Sequence, residues 1–250
     1  MSFKRTAQSI AGIALLIVLW AIAIRASGTR ILPGPWKVVR AIAELTRNGL
    51  LIKHVVASLF RVTWGYLSAV ALGIPLGLCL GWFRRGERTL NPILQLFRPI
   101  SPLAYIPIAI LWFGVGDLAA IFIIFVASFL PLTLTAMNAV HHIPEVHLNA
   151  GRNFGLSSAQ LVRHVIYPAV LPQLLVGMRL ALGIAWLVVV AAEMIAVNSG
   201  LGFLIIDSRN AGGRYDLVIA GMVLIGAVGL CLDVAMRRME RSRGLRWSST

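Results

Sequence analysis

Apolar residues along this chain gather into long runs, and the polar residues between them fall in short, crowded breaks. A membrane-crossing helix needs roughly 20 apolar residues, fewer or more if the helix is short or tilted. On that measure the pattern predicts six spans, at about 8–24, 56–82, 99–115, 117–137, 172–197 and 216–236. Lys4 and Arg5 ahead of the first run imitate a signal peptide. No small-residue cleavage site comes after it, and Arg25 and Arg30 are next, so the run is read as a retained span. Pro99, Pro102 and Pro107 interrupt the third run, and such breaks survive in a membrane only where protein or a cavity covers the freed backbone. Between the first two spans, 33–54 sets Val38, Val39, Ile42, Leu45 and Leu50 against Lys37, Arg40, Glu44 and Arg47. That spacing predicts an amphipathic helix along the membrane face or the outer end of the bundle.

One polar break differs from the others. Asn149-Ala-Gly-Arg-Asn-Phe-Gly155, continuing into Leu156-Ser-Ser-Ala-Gln-Leu-Val-Arg-His-Val-Ile-Tyr-Pro168, carries Asn149, Arg152, Asn153, Arg163 and His164, all costly in hydrocarbon. It also reads as two short helices: Gly155 permits a sharp turn, Ser157 caps the second N-terminus, and Pro168 stops the second helix. The prediction is a folded elbow standing in water, a surface for another protein to grip.

Composition agrees with a polytopic membrane protein: 58% of the 250 residues are hydrophobic and 13% charged, with a mean hydropathy of +0.84. A soluble domain of this size carries about 25% charged residues. The net charge of +14 does not select nucleic acid, because the basic residues crowd the flanks of apolar runs rather than one soluble face. With the N-terminus in the cytoplasm, thirteen Lys and Arg residues fall inside and eight outside, six of the eight within 25–54. Positive-inside therefore places both termini and the elbow in the cytoplasm. The basic tail, 237–250, reads as an anchor at the lipid headgroups.

Inside the spans, Gly73, Gly77 and Gly81 recur every four residues and share one helix face, which lets another helix approach backbone to backbone. Gly221, Gly226 and Gly229 are expected to do the same in the last span. Glu193, set among Leu187-Val-Val-Val-Ala-Ala192 and Met194-Ile-Ala-Val197, is a candidate pathway or gating residue, since a carboxylate at that depth faces protein or water. Lining a path, pairing with an arginine and protonation all remain open to it. Asp117 is read as the cap of the next helix. Arg61 and Arg179 are read as snorkelling from span ends, and Cys79 and Cys231 as small buried hydrophobes.

Catalytic patterns are missing. No Gly-x-x-x-x-Gly-Lys-Ser/Thr phosphate loop is present, Gly200-Leu-Gly202 is too short for a dinucleotide fingerprint, and no Cys or carboxylate cluster completes a metal site with His141, His142 and His147. The chain reads as a non-enzyme with no metal site and no bound cofactor.

The elbow resembles the cytoplasmic loop of ABC importer permeases: Glu-Ala-Ala, three residues, Gly, nine residues, Ile, one residue, Leu-Pro. The corresponding positions are Asn149-Ala150-Gly151, Gly155, Val165 and Tyr167-Pro168, with Asn149 for Glu, Gly151 for Ala, Val165 for Ile and Tyr167 for Leu. Arg98–Gly114, Ala192–Gly202 and Ser58–Arg61 running into Gly65 resemble the nitrate, sulfonate, taurine and bicarbonate branch of that family. The resemblance implies an all-α bundle of about six transmembrane helices, similar to type I importer permeases, as one domain over 1–250 with its core at 55–236. It implies a bacterial inner-membrane subunit importing a small anion, a sulfonate, taurine or nitrate-type solute. Implied partners are two ATPase subunits holding ATP and Mg2+, a second permease copy or a paired permease, and a periplasmic or lipid-anchored solute-binding protein. Residues 149–168, with Arg152 and with Phe154 as an apolar knob, would meet the ATPase. A self-contained secondary transporter or channel and a membrane enzyme are the competing classes. The first lacks coupling-ion carboxylates beyond Glu193, and the second lacks a nucleophile or metal cluster.

Overall fold

The structure, a computed structural model, describes residues 3–27 and 32–244, and the regular structure within them is helical. Helix α1 (Phe3–Ser27) precedes a short amphipathic helix α2 (Pro35–Arg47), and α3 (Leu50–Trp82) is the longest continuous α-helix. Next come α4 (Arg84–Phe97), a 3-10 turn at Pro102–Tyr105, α5 (Ile106–Phe113) and α6 (Asp117–His141). The elbow supplies α7 (Glu145–Asn153) and α8 (Ser158–Leu161), and a π turn at Val162–Ile166 leads into α9 (Tyr167–Ala196). Helices α10 (Leu201–Asn210) and α11 (Tyr215–Gly244) complete the described chain. Residues 245–250 of the basic tail, and Arg30, lie outside the described residues.

Among the described residues, four helical stretches are long and apolar enough to cross a membrane alone: Leu50–Trp82, Asp117–His141, Ser158–Ala196 and Tyr215–Glu240. Helix α1 carries a shorter apolar stretch, Ala14–Ala26. The expected span at 99–115 is corrected. Its helical part, Pro102–Phe113, reaches spanning length only together with α4, which it meets at 87°, the bend falling where Pro99 and Pro102 withhold backbone donors. Two boundaries also move. Lys53 and His54 belong to α3 rather than to the amphipathic segment, and the fifth span begins well before residue 172.

The core is built on α3 against α6, with α9 across both. Apolar residues from all three, including Val62, Tyr66, Ile124, Leu132, Trp186 and Val189, form the largest buried cluster. The predicted glycine stripe lies on this seam. A side chain at Gly73 would meet the Phe129 carbonyl at 3.1 Å, one at Gly81 would meet Val140 at 2.7 Å, and one at Gly77 would overlap the Thr133 carbonyl. Lipid offers apolar side chains no hydrophobic incentive to associate, so this intimate packing is what holds the two helices together. Of the last-span glycines, Gly221 abuts Ile205 and Gly229 abuts Trp186, but Gly226 faces open space and packs against nothing. Cys79 and Cys231 are exposed on the outer surface of the bundle rather than buried.

Helix α2 lays Val38, Ala41 and Leu45 onto Leu204 and Ala220 of α10 and α11. Arg214 fastens it, bonding Glu44 Oε2 and Asp216 Oδ2 at 2.8 Å each. The amphipathic segment is thus a cap on one end of the bundle, opposite the elbow. Overpacking a close-packed seam costs about 1–3 kcal/mol, so Gly77→Leu is expected to lower the Tm of the detergent-purified protein. Gly226→Ala, adding a methyl that meets nothing within 4 Å, is expected not to.

Candidate functional site

Two polar assemblies stand at opposite ends of the bundle. At one end, α7 closes with a Schellman motif, in which Gly155 N–H donates to the Arg152 carbonyl at 2.9 Å and Leu156 N–H to the Gly151 carbonyl at 3.2 Å. Gly155 sits at φ +74°, the left-handed conformation that the motif requires and side chains resist. A capping box comes immediately after: Ser157 N–H donates to Gln160 Oε1 at 2.9 Å, and Gln160 N–H to Ser157 Oγ at 3.4 Å. Two end motifs back to back leave the turn between helices no loose residue.

Gly151 is the contact that folds the elbow on itself. It is buried, and a side chain there would meet Leu161 at 2.5 Å and Val165 at 3.2 Å. Asn149, Ala150, Arg152, Tyr167 and Pro168 are exposed and Val165 is half-buried. Phe154 is 86% exposed, the most exposed of the large hydrophobic side chains among the described residues. Asn149 and Arg152 line an open cleft of about 850 Å3, shared with Glu87, Arg88 and Asn91 of α4 and with His141. The expectation that Pro168 stops the second short helix is corrected. Pro168 occupies the first turn of α9, and helix runs from Ser158 to Ala196. The π turn explains this. A proline ring collides with the carbonyl four residues before it, and here the backbone widens over Val162–Ile166, with Tyr167 N–H reaching back to the Val162 carbonyl.

At the other end lies a buried ionic cluster. Glu193 of α9 and Arg61 of α3 are 0% and 2% exposed, and Arg61 Nη1 donates to Glu193 Oε1 at 2.6 Å. Arg61 also donates to the Ser199 carbonyl at 2.7 Å and to Asp117 Oδ1 from Nε at 2.8 Å. The other Glu193 oxygen accepts from Ser58 Oγ at 2.9 Å and from Gly202 N–H at 3.0 Å. The first amides of α10 are therefore all satisfied by side chains: Gly200 by His54 Nδ1 at 3.1 Å, Leu201 by Ser58 Oγ at 2.9 Å, and Gly202 by Glu193. A helix N-terminus carries unsatisfied N–H groups and partial positive charge, and a carboxylate set beneath it answers both. Gly200, at φ +108°, and Gly202 have no room for side chains, which would strike the Glu193 carboxylate and the Val190 carbonyl.

Two sequence readings fail here. Arg61 does not snorkel to an edge; it is enclosed between α3 and α9. Asp117 provides no cap to α6, whose N-cap is Gly116 without a side-chain bond, and instead meets Arg61. Arg179, by contrast, pairs with Glu240 at 3.3 Å. Sequence reasoning missed His54, Ser58 and Ser199 as members of the cluster. The signal was the ordered occurrence of Ser58–Gly65 and Ala192–Gly202, which meet here. The described residues hold no group of three His, Cys, Asp or Glu side chains able to bind a metal. Of the loop histidines, His141 lies 3.3 Å from Glu87, and His142 Nδ1 lies 2.7 Å from the Asn138 carbonyl.

Residues 69–244 match the family of binding-protein-dependent transport system inner membrane components. The chain is 34% identical over 233 residues to the taurine transport system permease protein TauC of Escherichia coli, covering 91% of this chain and 84% of that one. It is 34% identical over 244 residues to the bicarbonate transport system permease protein CmpB of Synechococcus elongatus (93% and 87% covered), and 33% identical over 239 residues to SsuC of Bacillus subtilis, named for aliphatic sulfonate transport (95% and 86%). Its fold is that of a chain of the MetNI methionine ABC transporter in an inward-facing conformation, with a TM-score of 0.69 at 24% identity over 79% of this chain and 97% of that one.

Removing one member of a buried ion pair strands the other, at a cost of about 3–5 kcal/mol. Glu193→Leu and Arg61→Met are each expected to lower thermal stability by that order, and the two together to cost less than their sum. Asp117→Asn, altering a side chain that is 56% exposed, is expected to cost under about 1 kcal/mol. Thermal unfolding of the purified variants reads all four.

Proposed function

The chain belongs to the binding-protein-dependent transport system inner membrane component family, and on that premise we propose how it meets its ATPase and what it carries. Members of the family are non-enzymatic, multi-pass inner-membrane permeases of ATP-driven importers, working with a separate ATPase and a solute-binding protein. Here, residues 149–168 are the docking element for the ATPase. The observation that carries this is Phe154, an aromatic ring held 86% exposed at the tip of a turn locked by a Schellman motif on one side and a capping box on the other. An exposed aromatic on a rigid element is a low-entropy anchor for a partner's pocket.

The elbow and both termini face the cytoplasm, as the excess of Lys and Arg on that side supports. Two permease copies stand over two ATPase subunits. ATP and Mg2+ reside on those subunits, and this chain binds no cofactor. Closure of the ATPase pair moves the elbows and rocks the spans between inward and outward openings. The cargo is a small oxyanion or sulfonate, a reading supported by relatives named for taurine, aliphatic sulfonates and bicarbonate.

Truncating an interface hot spot costs about 2 kcal/mol or more, on the order of thirtyfold in affinity. Phe154→Ala is therefore expected to reduce co-purification of the ATPase while leaving the permease folded. Gly155→Val, forcing a β-branched side chain into the left-handed region at about 1–2 kcal/mol, is expected to uncouple ATP hydrolysis from uptake or prevent assembly. Normal co-purification and uptake in both variants would refute the docking role. Uptake by the reconstituted wild-type complex is expected for at least one of taurine, alkanesulfonates, nitrate and bicarbonate. Uptake of neutral or cationic solutes alone would refute the anion reading.

A further inference from the structure

The 87° break between α4 and the Pro102–Phe113 segment opens a cavity of about 480 Å3 against α6 and α9. Irregular backbone at membrane depth persists where it lines a cavity or is covered by protein, so the break and the cavity explain each other. The facing side of α6 contributes Ala127, Pro131, Leu134, Thr135 and Asn138, a stripe at helical spacing. The other side of α6 is spent on α3. The cavity wall changes along its length, with Val126, Ala127 and Ile184 at one end and Gln95, Arg98, Thr135 and Asn138 toward the elbow.

Among the described residues, Arg98 is the one charged side chain in that wall. Arg61, Arg179, Arg214 and Arg237 all pair with carboxylates; among the described residues, no carboxylate pairs with Arg98. The neighbouring polar side chains offer hydrogens as well: the hydroxyls of Tyr105 and Thr135 and the amides of Asn138 and Gln95. Gln95 Nε2 donates once, to Asn91 Oδ1 at 3.5 Å, and keeps a second hydrogen. An unpaired guanidinium fork in a wall that also carries hydroxyl and amide donors, and no carboxylate, suits the oxygens of a small anion. It is a poor host for a cation.

We propose that Arg98 is the specificity-determining residue of the transport path, contacting the anion's oxygens in the elbow-side half of the cavity as the solute crosses. The proposal rests on the anion-import reading and adds the residue and the place. The rival account is structural. Arg98 ends α4, its N–H bonding the Leu94 carbonyl at 3.1 Å, and a cation there would favour the helix dipole. The two accounts differ in what they predict. A helix-end role governs how much complex assembles, whereas an anion contact governs how much solute moves per ATP hydrolysed.

The test uses the complete importer, with its ATPase and binding protein, in proteoliposomes supplied separately with taurine, methanesulfonate, nitrate and bicarbonate. Arg98→Gln is expected to assemble with its ATPase but to lower solute moved per ATP on the order of tenfold or more, the loss of one charge-assisted contact. Arg98→Lys, keeping the charge, is expected to retain most of that ratio. Asn138→Leu, altering the same end of the cavity from α6 rather than from α4, is expected to lower it as well. An unchanged ratio in Arg98→Gln overturns the proposal. So does an equal loss in Arg98→Lys, or failed assembly of Arg98→Gln together with an unchanged ratio in Asn138→Leu. Wild-type complex that moves none of the four anions defeats the import reading itself, an outcome distinct from the others.

Discussion

The pair of Arg61 and Glu193 fixes the relation of three helices in a medium that cannot solvate either charge. Taken singly, each is among the costliest groups that can be placed within a membrane span. Together they are tolerable only because the remaining hydrogen-bonding capacity is also filled, by Ser58, Ser199, Asp117 and the amide of Gly202. A half-filled network of this kind is worse than an apolar core. The demand for completeness therefore reaches outward: it dictates glycine at 200 and 202, seats the N-terminus of α10, and brings α3 against α9 at one depth.

The opposite end of the bundle solves a different problem, presenting a firm surface to water. Its rigidity is local, arising from neighbours within a few residues: Gly155 with Arg152, Leu156 with Gly151, and Ser157 with Gln160. Between the two ends, the α3–α6 seam owes its tightness to absent side chains, with Gly73, Gly77 and Gly81 admitting the α6 backbone. The molecule thus carries a polar anchor, a close-packed stem and a polar platform, each stabilised by a different kind of interaction.

Legibility in the sequence divides along the same lines. Four of the six expected spans were readable because lipid imposes length and hydropathy on a crossing helix, and the elbow's turn because Gly155 and Ser157 act on adjacent residues. The glycine stripe was readable from helical periodicity alone. The partners of Arg61 were not, because Asp117 and Glu193 lie 56 and 132 positions away and nothing local records which helix faces which. Glu193 stood out as a charge in an apolar run, but its engagement as a cap for α10 needed the fold. Pro168 misled for a subtler reason: one widened turn before it removed the clash that normally ends a helix. Pro99 and Pro102 did signal a break, but its sharpness depends on the cavity it borders.

That widened turn has a mechanical consequence. Because helix continues from Ser158 through Pro168 to Ala196, the second half of the elbow and the carboxylate at the far end are parts of one rod. At 1.5 Å per residue, Glu193 lies about 50 Å from Ser158 along that rod. With its far end pinned by the ionic cluster, the rod behaves as a lever whose fulcrum is the buried carboxylate. A tilt of about 5° over that length sweeps the platform through about 4 Å. Small angular freedom at a rigid pivot thus becomes a displacement of atomic dimensions at the elbow.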